Sequence, residues 1–188
     1  MTDDEAREKI LSAAADLYYS KGYAAVGMDE LRAAAGVSLR RLYGQFPSKS
    51  DIIKGVLSRA HDSWEQGVTN SVDAAGPEAH DQLIAVFSYL QSWFCADDFR
   101  GCAFINAFAE LGGTDPEVAA LVREHKKTFQ QYMAGLVAEL GGSELLAAQL
   151  AILAEGAQST AAISGSPVAA DQALAAAEVL IAASLRAA

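Results

Sequence analysis

Apolar residues in this chain recur at intervals of three and four, and nowhere do they alternate with the period-2 rhythm of a strand. Over residues 4–20, Ile10, Ala13, Ala14, Leu17 and Tyr18 share one stripe, and Lys21-Gly22 supplies a basic last turn and a stop. Residues 28–35 form a second, short helix with Leu31, Ala34 and Ala35 inward, and Gly36 lets the chain turn with a positive φ. Ser38 is placed to cap a third helix reaching residue 45, which Pro47 prevents from continuing. Ser48 then caps a long helix over 49–72, striped by Ile53, Val56, Leu57, Ala60 and Trp64. Beyond the Gly76-Pro77 break, helices are expected over 77–96, 101–111, 116–140, 143–163 and 168–187. The pattern predicts an all-α fold of about nine helices. A three-helix N-terminal domain (1–47) with a helix-turn-helix would precede a larger helical domain (48–188).

The last two segments are apolar on more than one face. Leu145, Leu146, Leu150, Ile152 and Leu153 spread around the first, and Leu174, Val179, Leu180, Ile181 and Leu185 around the second. Helices of that kind must be buried. The expected cover is a second copy of the chain, with Leu146, Leu150, Leu153, Leu174, Ile181 and Leu185 at the interface; burial within the monomer is the competing reading. Of the 188 residues 52% are hydrophobic and 20% charged, which excludes disorder and supplies a core. The longest charge-free stretch, residues 156–170, is interrupted by polar residues, so no apolar run reaches membrane-spanning length. The opening MTDDEAREK is not a basic segment followed by an apolar one, and two cysteines suit a reducing compartment. The expectation is a cytoplasmic protein with no membrane partner.

Net charge is −10, but its distribution changes the picture. Residues 1–60 hold nine Lys or Arg against eight Asp or Glu, while residues 61–188 hold five against sixteen. Between Ser38 and Lys49 there are three basic residues and no acidic one. That is a small positive footprint on an acidic chain, coinciding with a pair of short helices of the kind that places side chains in the DNA major groove. An ordinary solvated helix face would carry the same charges.

Gly22-Tyr23, Leu31, Ala35-Gly36-Val37-Ser38, Leu42-Tyr43, Phe46 and Ser48-Lys49 together resemble the motif of the tetracycline-repressor (TetR) family over roughly residues 8–57. The resemblance implies that this block is the DNA-binding domain and that helices four to nine form a dimeric, ligand-sensing domain. Ser38, Leu39, Arg40 and Arg41 open the recognition helix, within reach of base edges. Arg can pair bidentately with guanine and Leu39 can meet a thymine methyl. Adjacent helical residues diverge by about 100°, so sequence leaves open which arginine reads bases. Tyr43 and Lys49 resemble the family's phosphate contacts, and Leu31, Val37, Leu42 and Phe46 hold the small core. Four positions depart from the pattern. Gly27 replaces a Ser or Thr cap, Arg32 a small packing residue, Arg40 a common Gly and Gln45 the usual His. Arg40 and Gln45 are therefore expected to alter which bases are read.

Residues 89–133 are rich in side chains suited to an apolar ligand pocket: Tyr89, Trp93, Phe104, Phe108, Phe129, Tyr132 and Met133, with Trp64 on helix four. Each is also an ordinary core residue. Asn106 and Glu110, four apart within AFINAFAEL, share a helix face among apolar neighbours. They are read either as ligand-recognition groups or as makers of a structural hydrogen bond to a neighbouring helix. His61 and His125 either meet across helices or are ordinary surface or interface residues. Cys95 and Cys102 flank the 97–101 turn, which makes a thiol-redox response conceivable, although two free thiols is the simpler account. No phosphate-cradling loop, metal-spaced cluster or nucleophilic triad signature is present, so neither an enzyme nor a cofactor is expected. The expected function is a dimeric repressor, released from a palindromic double-stranded operator by a small hydrophobic effector. The alternatives are a regulator responding through Cys95 and Cys102, and a DNA-organising protein without an effector.

Overall fold

The computed structural model describes residues 1–187. Among them it contains α1 (Asp3–Lys21), α2 (Met28–Ala35), α3 (Leu39–Gln45), α4 (Lys49–Ala74), α5 (Ala79–Phe94), α6 (Ala103–Leu111), α7 (Pro116–Glu139), α8 (Glu144–Ser164) and α9 (Val168–Ala187), and no strand. The chain is all-α, as its periodicity predicts.

Local chemistry sets the early boundaries. Thr2 Oγ1 accepts the Glu5 N–H at 3.2 Å, and Glu5 Oε2 accepts the Thr2 N–H at 2.7 Å, a reciprocal pair that starts α1. Asp3, Asp4 and Glu5 lie at the positive end of that helix. Gly27 gives α2 no side-chain cap. At the other end of α2, Gly36 adopts φ 65°, and the N–H groups of Gly36 and Val37 satisfy the carbonyls of Ala33 and Arg32 at 3.2 and 3.0 Å. Ser38 Oγ then accepts the Arg41 N–H at 3.2 Å and opens α3. Ser48 does the same for α4, accepting the Asp51 N–H at 3.1 Å.

The chain divides into two compact units. The first comprises Met1–Asp62 and Ala103–Glu124. In it α1 packs on both α2 and α3, and α2 on α3. Ile10, Leu11, Ala14 and Tyr18 of α1 are buried, as are Leu31, Ala35, Val37, Leu42 and Phe46 of the turn-containing segment. Ala34, expected inward, is exposed, because its neighbour Ala35 takes the core-facing position. The division does not follow the expected 1–47 and 48–188 domains. The start of α4, all of α6 and the first turns of α7 belong with the N-terminal helices. Hydrogen bonds from Tyr23, Ala24 and Ser50 to α6 and the α6–α7 junction account for this.

The second unit comprises Ser63–Cys102 and the chain from His125 onward. Here α5, α8 and α9 pack on one another around Leu83, Val86, Phe87, Leu90, Phe129, Met133 and Leu150. Ala147, Ala151, Ala154, Ala157 and Ala161 of α8, with Ala169, Ala170, Ala173 and Ala177 of α9, are all buried, and such small side chains let helices approach closely. Leu146, Leu150 and Ile181, expected at a dimer interface, lie instead in this core, and Leu153 and Leu174 pack against it half-buried. The face left outside carries Leu145, Ile152, Ile163, Val168, Val179 and Leu185, with Ile152 70% and Ile163 88% exposed. Both helices are apolar on two sides, and only packing determines which side is internal. The same apolar character makes Val168–Arg186 long and apolar enough to cross a membrane by length and composition, contrary to the reading from charge-free runs. Asp171 and Glu178 nevertheless lie within that segment, and Ala169, Ala170, Ala173, Ala177 and Ile181 on it are buried.

Two glycines around α3 should respond oppositely to substitution. Gly36 has a left-handed φ, so Gly36→Ala should destabilise by about 1 kcal/mol. Gly44 is helical, and a Cβ there would meet nothing within 4 Å, so Gly44→Ala should stabilise by up to about 1 kcal/mol. Urea denaturation of the two variants measures both.

Candidate nucleic-acid interface

Helix α3 is short, and its two sides differ sharply. Leu42, with Phe46 just beyond the helix, is buried, and the Arg7 guanidinium lies 4.4 Å from the Phe46 ring centroid. On the outer side Ser38, Arg40 and Gly44 are exposed, with Leu39 39% and Tyr43 46% exposed. An open depression of about 410 Å³ runs along this side, lined by Asp3, Ser38, Arg40, Arg41, Gly44 and Gln45.

The two arginines have different surroundings. One terminal nitrogen of Arg41 donates to the carbonyls of Met1 and Thr2 at 2.9 and 2.7 Å and to Asp3 Oδ1 at 2.9 Å. This side chain therefore fastens the start of α1 to the recognition helix. Arg40 has no hydrogen-bond or ion-pair partner among the described residues and projects into solvent. The ambiguity left by the sequence resolves into one arginine committed to the fold and one uncommitted.

Lys49 and Arg32 are also engaged. Lys49 Nζ donates to the Ala24 carbonyl at 3.2 Å and lies 6.0 Å from the Tyr18 ring centroid. Burial lowers its pKa, and the negative charge of Glu110 opposes that shift. Tyr18 stacks on Tyr23 with centroids 5.1 Å apart, and burial holds its hydroxyl well above the ordinary tyrosine range. Arg32, a departure from the family pattern, pairs with Asp29 at 2.8 Å one turn earlier on α2.

The ten residues expected around a ligand pocket are divided between the two units. Phe104, Asn106, Phe108 and Glu110 sit on α6 in the first unit. Phe104 is buried there, while Phe108 is exposed with the Arg123 guanidinium 5.6 Å from its ring centroid. Glu110 is exposed. Its carboxylate accepts the backbone N–H groups of Tyr23 and Ala24 at 3.1 and 2.8 Å, the structural role weighed as the alternative. The other six lie in the second unit. Phe129 and Met133 are buried in its core, and Trp64 packs edge-on against Phe129 and His125 with centroids 5.4 and 5.3 Å away. Trp93 joins Phe94 and Phe99 in a separate aromatic cluster, and Tyr89 and Tyr132 are half-buried. A Cβ on Gly67 would come within 2.6 Å of the Tyr89 ring, so that glycine gives Tyr89 its place against α4. Cys95 is an exposed free thiol and Cys102 a buried one, with Lys126 Nζ 3.8 Å from the Cys102 sulfur. No group of three or more His, Cys, Asp or Glu side chains among the described residues is arranged to hold a metal.

A basic, outward-facing short helix, presented by a glycine turn from a second short helix, defines a helix-turn-helix module. The sequence profile described as bacterial regulatory proteins, tetR family, matches residues 10–56, which run from within α1 into α4. Over 141 residues the chain is 31% identical to the HTH-type transcriptional activator FasR of Mycolicibacterium smegmatis, covering 75% of this chain and 63% of that one. It is 25% identical over 111 residues to the HTH-type transcriptional repressor NemR of Escherichia coli, covering 58% and 56%. The chain thus spans less than two thirds of either relative. A TetR-family transcriptional regulator of Streptomyces coelicolor, SCO4454, superposes over 96% of both chains with a TM-score of 0.90 at 28% identity. Residues 10–56 thus carry the tetR-family DNA-binding segment, and the chain as a whole is similar in fold to TetR-family regulators.

Sequence reading passed over Asp3, Arg7 and Asp115. Asp115, before Pro116, carried the signal of a helix start. Its carboxylate accepts the N–H groups of Glu117 and Val118 at 3.1 and 3.0 Å and the Ser50 hydroxyl at 2.6 Å. The Ser50 hydroxyl, followed by the Val118 N–H, lowers its pKa. A depressed carboxylate stabilises above its unfolded pKa of about 3.9, and that contribution is lost as pH falls through the folded value. Asp115→Ala should therefore cost about 1 kcal/mol at pH 7, with the gap to wild type closing below about pH 4. Denaturant titrations at pH 7 and pH 3 test this.

Proposed function

We propose that this protein is a dimeric transcriptional repressor, whose α3 reads a palindromic operator and whose binding is relieved by a small hydrophobic effector. The observation that carries the DNA reading is the outer side of α3. Arg40, Leu39 and Tyr43 face solvent with their functional groups uncommitted, on a chain whose acidic excess lies after residue 60. Arg40 is the base reader, suited to a bidentate contact with guanine, and Leu39 is suited to a thymine methyl. Ser38, Tyr43, Gln45 and Lys49 serve the backbone and the groove edge. Arg41 supports the helix from behind and contributes charge. Residues 1–47, joined by Lys49 at the start of α4, would thereby carry recognition, and the remainder of residues 48–188 its regulation, in the cytoplasm.

One headpiece makes few contacts, and two-fold pairing doubles them. The exposed apolar side of α8 and α9, with Leu145, Ile152 and Ile163 on α8 and Val168 and Val179 on α9, supports a homodimer. Half-sites would then lie about one DNA turn apart or somewhat more. For the effector, support comes from the half-buried aromatics Trp64, Tyr89, Trp93 and Tyr132 of the second unit. An effector acts only by favouring one of two dimer states. Repression rather than activation is the simplest use of such release.

Arg40→Ala should flatten base preference at one position per half-site, a loss of about 1–3 kcal/mol of discrimination. Arg41→Ala should keep the preference while lowering thermal stability. Binding-site selection on random DNA, beside melting curves, separates the two, and equal loss of preference in both variants would refute the assignment. Ile152→Asp should shift the dimer to monomer in sedimentation velocity and lower operator affinity, whereas Leu150→Asp should unfold the second unit instead.

A further inference from the structure

Glu110 ends α6, and its carboxylate spends both oxygens on the first two backbone N–H groups beyond Gly22, those of Tyr23 at 3.1 Å and Ala24 at 2.8 Å. Gly22 has φ 88°, and a Cβ on it would lie 2.9 Å from Glu110 Oε1, so the glycine forms part of the carboxylate's seat. The residue that gives its N–H to Glu110 also gives its carbonyl to Lys49, since Lys49 Nζ donates to the Ala24 oxygen at 3.2 Å. A single residue thereby holds an anion on one side and a cation on the other. At the opposite end of α6, the Tyr23 hydroxyl donates to the Ala103 carbonyl at 3.1 Å. The connection between α1 and α2, residues 22–27, is thus tied to both ends of α6, and all these groups lie within the first unit.

We propose that Glu110 is a positioning residue for DNA binding: through the α1–α2 turn it holds the Lys49 ammonium at the edge of α3, so that operator affinity depends on where α6 stands. This rests on the DNA-binding reading above. Burial lowers the Lys49 pKa and the Glu110 carboxylate opposes that shift, which is a reason for a carboxylate rather than an amide at this place. A displacement of α6 that withdraws the carboxylate leaves two N–H groups unpaired and frees the peptide that anchors Lys49. The turn then loses its fixed geometry with no change in α3 itself.

A double-mutant cycle tests the proposal. Full-length wild type, Glu110→Ala, Lys49→Ala and the double variant are titrated onto one duplex, selected by the wild type from random DNA, over a series of KCl concentrations. Each single variant should bind about tenfold more weakly, with a salt slope shallower by about 0.9. The double variant should be little worse than either, not about a hundredfold weaker as independent effects require. Amide exchange at Tyr23 and Ala24 should accelerate in Glu110→Ala while Ile10 and Leu42 stay protected. Glu110→Gln, which keeps an acceptor oxygen but not the charge, should fall between wild type and Glu110→Ala, and it carries the test if the alanine variant melts. Wild-type affinity and slope in both Glu110 variants, or a double variant showing the full product of the single effects, overturns the role of Glu110. If the wild type selects no duplex, the DNA reading itself falls, whereas the exchange data still report whether the carboxylate holds the turn.

Discussion

A seven-residue helix has no stability of its own, because nucleating the first turn costs more than so few hydrogen bonds return. Everything α3 does therefore depends on the apolar stripe of α1 beneath it. Ile10, Leu11, Ala14 and Tyr18 supply the buried surface, and Leu42 and Phe46 are the two side chains by which the recognition segment reaches it. The caps at Ser38 and Gly36 set where the helix starts and how the chain enters it, but they add only tenths to a few kcal/mol. Burial keeps the segment folded, and capping keeps it in register.

Polar ties extend this arrangement outward from the core. Arg41 draws the N-terminal carbonyls of Met1 and Thr2 onto α3, and Ser50 and Asp115 join the start of α4 to the α6–α7 junction. Such surface bonds are individually weak. Their effect is to fix geometry among elements distant in sequence, and they enlarge the headpiece's unit well beyond the three N-terminal helices. All of α6 and the first turns of α7 thus belong to the same compact unit as α3.

The helices were legible because each is punctuated locally: Lys21-Gly22, Gly36, Ser38, Pro47 and Gly76-Pro77 all mark boundaries where the structure has them. The recognition helix was legible for the same reason, since its cap, its charge and its core residues lie within a dozen positions. What could not be read depends on pairing between remote segments. Nothing near Glu110 in sequence says that its partners are the amides of Tyr23 and Ala24, and its apolar neighbours in sequence fit a ligand group as well as a structural hydrogen bond. Arg40 and Arg41 are indistinguishable until the N-terminus is placed beside one of them. In α8 and α9 both faces are apolar, so the pattern carried no information on whether Leu150 or Ile152 points inward.

The unpartnered state of Arg40, and the open space around Gly44, bear on how this reading surface can change through descent. Residues that support nothing else in the fold can be exchanged without first finding a compensating substitution. A lineage could then acquire a new target sequence through single changes at positions 40 and 44, at little risk to folding. Arg41 has no such latitude, because replacing it releases the end of α1. Divergence among duplicated copies should accordingly concentrate on the outer side of α3 and spare the arginine beside it.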